Sequence, residues 1–519
     1  MRNREVAVSE PNSGTRIRES FPGRSAFILA AIGSAVGLGN IWRFPYIAYE
    51  NGGGAFLVPY LVALLSAGLP LLFFDYAIGH KFKGSPPMAF RRMSRWSEGL
   101  GWWQVLICVV ISVYYAAVIA WAGYYTVLSF NLGWGDDPGT FLMEDFLRVS
   151  GDSAIKFEFV GAVFWPLLIV WIVCLGAIAL GVQKGIAAAS KIFMPLLFVM
   201  FLVLVGYALT LPGATTGLNE LFTPQWSKLS DPAIWVAAYG QIFFSLSVAF
   251  GIMITYASYL KPKTDLTGSA LVVGFANSAF ENLAAIGVFA VLGFMAVASN
   301  QPVSEVAGAG IGLAFVAFPA ILNEAPAGQL LGVLFFGSLV FAGLTSQISI
   351  LEVVIAALKD KMGWTRKQTV LVVGGGMGVI SILLYPTTTG LTLLDVTDHF
   401  VNNIGIVGVA LAATVSVTYI FRKLPVLAAH LNRVSSIKIG KWWFALVGGI
   451  VPLVLVWIWG GVIIQLIKEP YGGYDRGYVN VVGWGMSIML VVFAIILSFL
   501  PWPKKSALFK EELDKEEAS

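Results

Sequence analysis

The sequence is poor in charged residues, which make up 12% of its 519 positions, while hydrophobic residues make up 57%. An average soluble domain carries about 25% charged residues. Together with a mean hydropathy of +0.80, this scarcity excludes an ordinary soluble protein and predicts a membrane protein. Histidine and cysteine are scarcer still, with three and two residues.

The scarcity of these reactive residues argues against several kinds of chemistry. The three histidines lie far apart and show no spacing typical of a metal site. Cys108 and Cys174 lie inside apolar segments, so we expect no disulfide in an outer loop. Ser247 has no histidine or lysine beside it in the sequence to activate it as a nucleophile. We therefore expect no enzyme.

Long apolar segments are abundant. A membrane-spanning helix needs about 20 mostly apolar residues. Twelve candidates are found, at 25–49, 53–80, 102–131, 158–182, 187–211, 232–260, 268–297, 330–358, 367–385, 391–421, 441–467 and 479–502. They predict an all-α polytopic protein with 12 transmembrane helices in a lipid bilayer.

Basic residues are concentrated in the tail 1–24 and in the even-numbered loops, such as 81–95, whereas the odd loop 132–157 is mainly acidic. The positive-inside rule then predicts that both termini are cytoplasmic. Residues 1–23 contain no apolar signal-peptide segment, and a bacterial inner membrane is the simplest setting. The net charge of +4 comes from these loops and does not suggest a nucleic-acid partner.

Two apolar segments are interrupted by polar residues and glycines, the first span at 33–40 and the sixth at 241–251. Non-helical backbone survives at bilayer depth only where it lines a protein cavity. The free N–H and C=O groups of a broken helix can bind a carboxylate and a small cation. The two interruptions therefore predict a charged solute held in the middle of the membrane.

Five spans separate the two interruptions, which predicts an inverted repeat with a site at its interface. Loop 298–330, rich in glycine, fits either a re-entrant lid or a surface loop with short helices. The expected division is a cytoplasmic tail 1–23, a first repeat 24–211, an extracellular loop 212–230, a second repeat 231–421, two additional spans within 422–502 and a cytoplasmic tail 503–519.

Several motifs over residues 24–421 resemble those of the neurotransmitter:sodium symporters, which have the leucine-transporter (LeuT) fold. They are Gly-Leu-Gly-Asn-x-x-Arg-Phe-Pro at 37–45, Glu-Asn-Gly-Gly-Gly-Ala-Phe at 50–56, Tyr114-Tyr115, Gly-Gln-Ile-Phe-Phe-Ser-Leu-Ser at 240–247, Ile-Thr-Tyr-Ala-Ser-Tyr at 254–259, Thr345-Ser346, Asp395 and Asp398. The resemblance implies a 5+5 inverted repeat with broken helices 1 and 6. It also implies sodium-coupled symport by alternating access.

The resemblance implies that the N–H groups of Leu38 and Gly39 and the Tyr115 hydroxyl bind a substrate carboxylate. Gly37 leaves room for that carboxylate, where monoamine-transporting relatives have an aspartate. Taken alone, Gly37 is also compatible with close helix packing. The other expected substrate-binding residues are Ser34, Ala35, Ile111, Phe244, Ser245, Ser247, Phe250, Ser346 and Ile350.

Two sodium sites are also implied by the resemblance. The first would use Ala35, Asn40, Ser245 and Asn277 together with the substrate carboxylate. The second would use Gly33, Val36, Ala342, Thr345 and Ser346. Oxygen ligands suit a hard cation. The alternative for Thr345 and Ser346 is that their hydroxyls bond the backbone of their own helix.

Glu281 occupies a position where chloride-dependent relatives have serine, beside Tyr60 and Gln241. The resemblance implies that this carboxylate replaces chloride, so we expect transport without chloride and, as a weaker hypothesis, proton counter-movement. The alternative is a structural buried acid that is hydrogen-bonded to Gln241.

The expected gates are ion pairs near helix ends: Arg43 with Asp398 outside, and Arg18 with Asp360 inside. Phe21 stands beside the inner gate where the family has tryptophan. The alternative for these charged side chains is that they extend to the membrane interface.

The leading hypothesis is import of a neutral, hydrophobic α-amino acid with sodium, because the expected pocket wall is mainly apolar. The alternatives are a small or non-α amino acid (glycine, alanine, GABA or taurine) and, in a different class, a substrate-gated channel or a sensor. The preferred substrate, the stoichiometry and the oligomeric state do not follow from the sequence.

Overall fold

The computed structural model describes residues 19–306, 310–504, 506 and 508, and most of these residues are helical. The described part of the chain contains no strand, and its extended segments pair at one isolated bridge, Phe159 with Thr387. The protein is therefore all-α, as its composition predicts.

The main helical segments are, in chain order, α1 (Arg24–Ala35), α2 (Leu38–Glu50), α3 (Gly53–Phe82), α4 (Arg95–Leu128), α5 (Gly161–Ala179), α6 (Val182–Ala208), α7 (Pro232–Ser245), α8 (Ile252–Ser258), α9 (Leu266–Ser299), α10 (Gly328–Met362), α11 (Arg366–Leu384), α12 (Gly390–Ile420), α13 (Lys441–Gly473) and α14 (Arg476–Phe499). Within the described residues, ten of these segments are each long and apolar enough to cross a membrane, and α1 with α2, bent by 55°, form an eleventh candidate. The sixth predicted span is divided into α7 and α8. Neither half is long enough to cross alone, so this span exists only if the two halves are taken together.

The first interruption is narrower than the predicted 33–40. The segment from Gly33 to Ala35 completes α1, and the N–H of Val36 still bonds the Ile32 carbonyl at 2.7 Å. Gly37 is extended, with φ −122° and ψ −167°, and α2 begins at Leu38. Alanine and serine continue a helix readily, so the chain leaves helical geometry only at Val36 and Gly37.

The second interruption covers 246–251, which is shorter than the predicted 241–251 because α7 continues to Ser245. Ser247, Ala249 and Gly251 have left-handed φ values of 52°, 67° and 94°. Left-handed backbone is costly for residues with a side chain. Neighbouring helices must therefore stabilise this segment.

Helices α4 and α10 form the centre of the bundle: 78% and 89% of their most apolar windows are buried, against 22% for α13 and α14. Their buried faces surround the two interruptions. The outer helices α13 and α14 leave large apolar side chains exposed, including Leu453, Trp457 and Phe493. Such a surface suits contact with lipid.

Loop 298–330 contains short helices, Val303–Val306 and Gly310–Glu324, separated by residues outside the described part. The Phe315 ring lies 6.2 Å from Trp42, 6.1 Å from Trp121 and 5.0 Å from Tyr125, measured between ring centroids. The second short helix therefore packs against α2 and α4, close to the end of the broken span.

Candidate functional site

A cavity lies between the two interrupted spans and helices α4, α10 and α12. All the predicted substrate-binding residues line it except Leu38, whose side chain is buried in the core. The Leu38 N–H lies 3.5 Å from the Tyr115 hydroxyl oxygen. The lining residues are Ser34, Ala35, Gly37, Gly39, Asn40, Ile111, Tyr114, Tyr115, Phe244, Ser245, Ser247, Phe250, Ser346, Ile350, Asp398, Asn402 and Ile406.

Two glycines at the start of α2 make room in this cavity. A Cβ on Gly37 would lie 3.2 Å from Ser346 Oγ and 3.3 Å from the Tyr115 hydroxyl. A Cβ on Gly39 would lie 2.3 Å from Cε1 of Phe244. The neighbours of Gly37 are cavity-lining hydroxyls rather than a packed helix backbone, so its lack of a side chain opens space beside polar groups.

The side chains of Asn40, Ser245 and Asn277 converge from α2, α7 and α9. The Asn40 amide donates to Asn277 Oδ1 at 2.9 Å and to Ser245 Oγ at 3.2 Å. The Asn277 amide donates to the same serine oxygen at 2.5 Å. All three side chains are almost fully buried. The Asn40 carbonyl oxygen accepts the Gly37 N–H at 2.8 Å. The structure thus brings together the three side chains expected at the first sodium site, and amide and hydroxyl oxygens are of the kind that suits a hard cation.

The residues expected at the second sodium site meet where α1 crosses α10. Ser346 Oγ lies 3.3 Å from the Gly33 carbonyl oxygen, and a Cβ on Gly33 would lie 3.2 Å from Thr345 Cβ. The Thr345 hydroxyl donates to the Ala342 carbonyl at 2.9 Å, which is the local helix bond of the alternative hypothesis. Val36 follows on the same turn and is fully buried. Ser346 therefore links the two helices, whereas Thr345 bonds its own.

Glu281 is fully buried one helical turn after Asn277, and its carboxylate is held by neighbouring side chains. The Tyr60 hydroxyl donates to one carboxylate oxygen, and the Gln241 amide donates to the other at 2.7 Å. The Tyr60 hydroxyl oxygen also lies 2.8 Å from Ser278 Oγ. A buried carboxyl group with oriented donors thus lies behind the Asn277 cluster.

The predicted outer gate pair lies at the mouth of the cavity, but its charges are apart. No nitrogen of Arg43 is within 4.0 Å of an Asp398 oxygen, so no salt bridge joins these two described side chains. The Arg43 guanidinium lies over the Phe244 ring at 4.5 Å. Asp398 Oδ1 accepts bonds from Tyr114 at 2.6 Å and from Asn402 at 2.8 Å.

The opposite end is closed on the side where residues 19–23 lie, which we call the tail side. The Phe21 ring packs edge-on against Tyr256 and Tyr259, with centroid distances of 5.5 and 6.3 Å. Its N–H donates to the Tyr259 carbonyl at 3.1 Å. Of the predicted inner pair, Asp360 accepts the Ser85 N–H at 2.9 Å, and Arg18 lies outside the described residues.

A second ionic network on the tail side was not predicted from the sequence. Arg366 binds Glu352 through two nitrogens at 2.7 and 2.8 Å and also contacts Glu19 at 2.9 Å. Tyr259 donates to Glu352 at 2.6 Å, and Lys359 lies 3.0 Å from Glu19. A buried acid such as Glu352 in a membrane helix calls for a cationic partner, and that signal could have led to Arg366.

The charges around Glu19 control its protonation. Partial burial raises the pKa of this carboxyl, but the nearby charges of Arg366 and Lys359, with bonds from Arg366 and the Val182 N–H, lower it to about 2 overall. Glu19 therefore remains ionised throughout the physiological pH range, and the network stays intact over that range.

Sequence reasoning also missed residues that shape the cavity. Tyr114, Asn402 and Ile406 line it, and Asn402 lies one turn after the predicted gate residue Asp398. Asp75 is buried in α3, where its carboxylate accepts the N–H of Ala249 at 2.9 Å. An acid alone in an apolar span is a functional signal, and Asp75 could have been found in that way.

The chain is similar in sequence to known sodium-dependent transporters. The sequence model of the sodium:neurotransmitter symporter family matches residues 18–141 and 136–505. The chain is 40% identical over 467 residues to an uncharacterized sodium-dependent transporter of Methanocaldococcus jannaschii, covering 89% of this chain and 94% of the relative.

Two animal relatives carry more specific names. The sodium- and chloride-dependent GABA transporter 2 of Bos taurus is 31% identical over 436 residues, which are 74% of this chain and 72% of the relative. The sodium- and chloride-dependent taurine transporter of Rattus norvegicus is 32% identical over 433 residues, 73% and 69% of the two chains. The chain is a multi-pass, sodium-dependent transporter. It belongs to the sodium:neurotransmitter symporter family, which is a family of transporters rather than enzymes.

Proposed function

We propose that this protein imports a neutral amino acid together with sodium by alternating access. One observation carries the proposal: the space beside Gly37 and Gly39 adjoins the cluster formed by the Asn40, Ser245 and Asn277 side chains. A carboxylate bound in that space would share a sodium ion with the cluster. Each ligand then increases the affinity for the other, which is the coupling that symport requires.

The cavity wall favours a hydrophobic α-amino acid. Ile111, Phe244, Phe250 and Ile350 supply apolar surface for the side chain of the solute. Orientation then depends on the carboxylate and on the ammonium group. GABA or taurine is the second candidate, because the animal relatives are transporters of these solutes by name and are 31% and 32% identical to this chain over the aligned residues.

We infer that the tail side is cytoplasmic, that both termini lie there, and that a bacterial inner membrane is the setting. The basic loops support this orientation through the positive-inside rule. The separated charges of Arg43 and Asp398 and the packing of Phe21 on Tyr256 then describe an outward-facing state. Two sodium sites and a carboxylate at Glu281 that replaces chloride complete the proposal.

Uptake into proteoliposomes tests the function. Labelled leucine, methionine, alanine, glycine, tryptophan, GABA and taurine are offered under an inward sodium gradient, with choline replacing sodium in the control. We expect sodium-dependent accumulation of a neutral α-amino acid. Accumulation of GABA or taurine alone would overturn the substrate assignment but keep symport. If folded protein accumulates none of these solutes, the channel and sensor hypotheses gain support.

The network around Arg366 predicts that Glu19→Gln loosens the tail side. Loss of the carboxylate removes one charged partner of Arg366 and Lys359, and such pairs contribute about 1 kcal/mol. The probe is a cysteine introduced by Ser349→Cys, since Ser349 is hydrogen-bonded to Tyr256 behind Phe21. A methanethiosulfonate reagent added on the tail side should modify this cysteine about three- to tenfold faster when Glu19→Gln is present.

The matched control is Glu469→Gln, at an exposed acid far along the chain. A carboxyl group whose pKa is lowered in the folded protein stabilises the fold at pH values above its ordinary pKa. This stabilisation is lost as the pH falls from the ordinary pKa towards the lowered pKa. Because the pKa of Glu19 is about 2, lowering the pH to about 5 should leave unaltered the ratio of the modification rates measured with and without Glu19→Gln. The thiolate fraction of the probe cysteine falls with pH equally in both proteins and cancels in that ratio. Equal rates in the two glutamine variants would contradict the assignment.

A further inference from the structure

Ala249 lies in the interruption between α7 and α8 with a left-handed φ of 67°. An L-residue with a side chain is strained in this conformation, which glycine adopts freely. Such strain persists only where the surroundings hold the backbone in place. The neighbouring cavity residues Ser247 and Phe250 depend on the path of the chain through this point.

Both backbone groups of Ala249 are bound by side chains of other helices. Asp75 of α3 accepts its N–H at 2.9 Å, and the Gln104 amide of α4 donates to its C=O at 2.8 Å. The Cys108 thiol of α4 donates to the next carbonyl, that of Phe250, with a sulfur–oxygen distance of 3.1 Å. The side chains that bind the interruption are buried to 99% or more.

The residues of α4 that form these bonds lie on the same face of the helix as the residues that line the cavity. Gln104, Cys108, Ile111 and Tyr115 follow at intervals of four, three and four residues, which places them on one side of a helix. Ile111 and Tyr115 line the cavity, and Gln104 and Cys108 bind the interruption that carries Phe250. One face of α4 therefore forms one wall of the cavity, at Ile111 and Tyr115, and also fixes the distance to the opposite wall at Phe250.

We propose that Gln104 and Cys108 are positioning residues that hold the backbone of Ala249 and Phe250 and thereby set which solute sizes the cavity accepts. They act through the Phe250 ring and do not touch the solute. The part of this inference that concerns solute size rests on the proposed transport function, whereas the holding of the backbone does not.

The first test uses the two transported solutes whose Michaelis constants differ most in the unmodified protein. The quantity measured is the ratio of these two constants. In Gln104→Leu, which keeps the bulk but loses the donor, we expect the ratio of the two constants to move towards one by about fivefold or more, the scale of a lost buried hydrogen bond. The maximal rate should stay within about twofold, because no group that touches the solute has changed.

Matched variants separate positioning from general damage. Ser112→Ala removes a buried hydroxyl of α4 that has no hydrogen-bond partner among the described residues, and it should leave the ratio unchanged. In Cys108→Ala the ratio of the two Michaelis constants should move towards one. Cys108→Ser keeps a hydrogen-bond donor, so in this variant the ratio should stay as in the unmodified protein. Adding Ala249→Gly to Gln104→Leu should restore at least half of the lost selectivity, because glycine needs no bonds to remain left-handed.

A second readout requires no transport. We expect a membrane-permeant maleimide to label Cys108 about tenfold faster in Gln104→Leu, with a reversal of this increase by Ala249→Gly and no change at the buried Cys174. Unchanged Cys108 labelling, or equal shifts of both Michaelis constants, would overturn the inference. Faster labelling in a protein that accumulates no solute would instead overturn the proposed transport and keep the positioning role.

Discussion

Replacing Glu281 by serine should make solute uptake depend on chloride. The unmodified protein has a buried carboxylate beside the Asn277 cluster, with the Tyr60 hydroxyl and the Gln241 amide directed at it. Serine removes the negative charge and leaves these donors facing a space that an anion can occupy. Chloride then restores both the charge balance and the hydrogen bonds that the donors have lost.

The expected effect is large, because hydrogen bonds to a charged group contribute about 1.5–3 kcal/mol each. Without chloride we expect uptake by Glu281→Ser to fall by about 150-fold or more, the lower limit for two such bonds, and to return when chloride is added. Uptake by the unmodified protein should be the same in chloride and in gluconate.

Two controls distinguish anion replacement from misfolding. Glu281→Gln fills the space without a charge, so its uptake should be low with or without chloride. Ser278→Ala removes the hydroxyl that lies 2.8 Å from the Tyr60 hydroxyl and should leave uptake chloride-independent. Full activity of Glu281→Ser in chloride-free buffer would show that the carboxylate is structural and does not act in place of the anion.

Replacing Gly37 by aspartate should abolish the uptake of carboxylate-bearing solutes. A Cβ at this position already lies 3.2 Å from Ser346 Oγ and 3.3 Å from the Tyr115 hydroxyl, so the new carboxylate extends into the space that we assign to the substrate carboxylate. Two like charges in one buried site exclude each other. We expect uptake to fall by about 100-fold or more, the scale of an unpaired buried charge.

Measurement of sodium-driven uptake across the same solute panel tests this expectation. Gly37→Ala adds only the close Cβ contacts and should reduce uptake by less than the aspartate does. Gly240→Ala is the matched control, because a Cβ on that glycine of α7 meets nothing within 4 Å. If Gly37→Asp retained uptake of leucine or GABA, the carboxylate site would have to lie elsewhere in the cavity.

Much of the candidate site could be predicted because its signals are local in the sequence. Gly37, Asn40 and Ser245 lie in interruptions that an apolar span cannot tolerate without a function. Their motifs resemble a known family, so the partners on other helices followed by resemblance. The boundaries of the interruptions were predicted too widely, because residues 33–35 and 241–245 keep helical geometry when packed in the bundle.

The sequence by itself determined the all-α membrane class and the two interrupted spans, and the resemblance to a known family implied most of the residues that line the cavity. Hydropathy, helix-breaking residues and short motifs are properties of neighbouring positions, so they can be read without a structure. The division into two repeats, the orientation and the two sodium sites remain predictions that rest on the same local signals.

Only the tertiary structure decided that Arg43 and Asp398 stand apart while Arg366 joins Glu19 to Glu352. It also decided that Asp75 and Gln104, whose helices are far from Ala249 in the sequence, hold one strained residue from both sides. Such contacts depend on how helices pack across long stretches of chain. Hydrogen-bond distances of a few ångströms are set by that packing, which no local pattern in the sequence specifies.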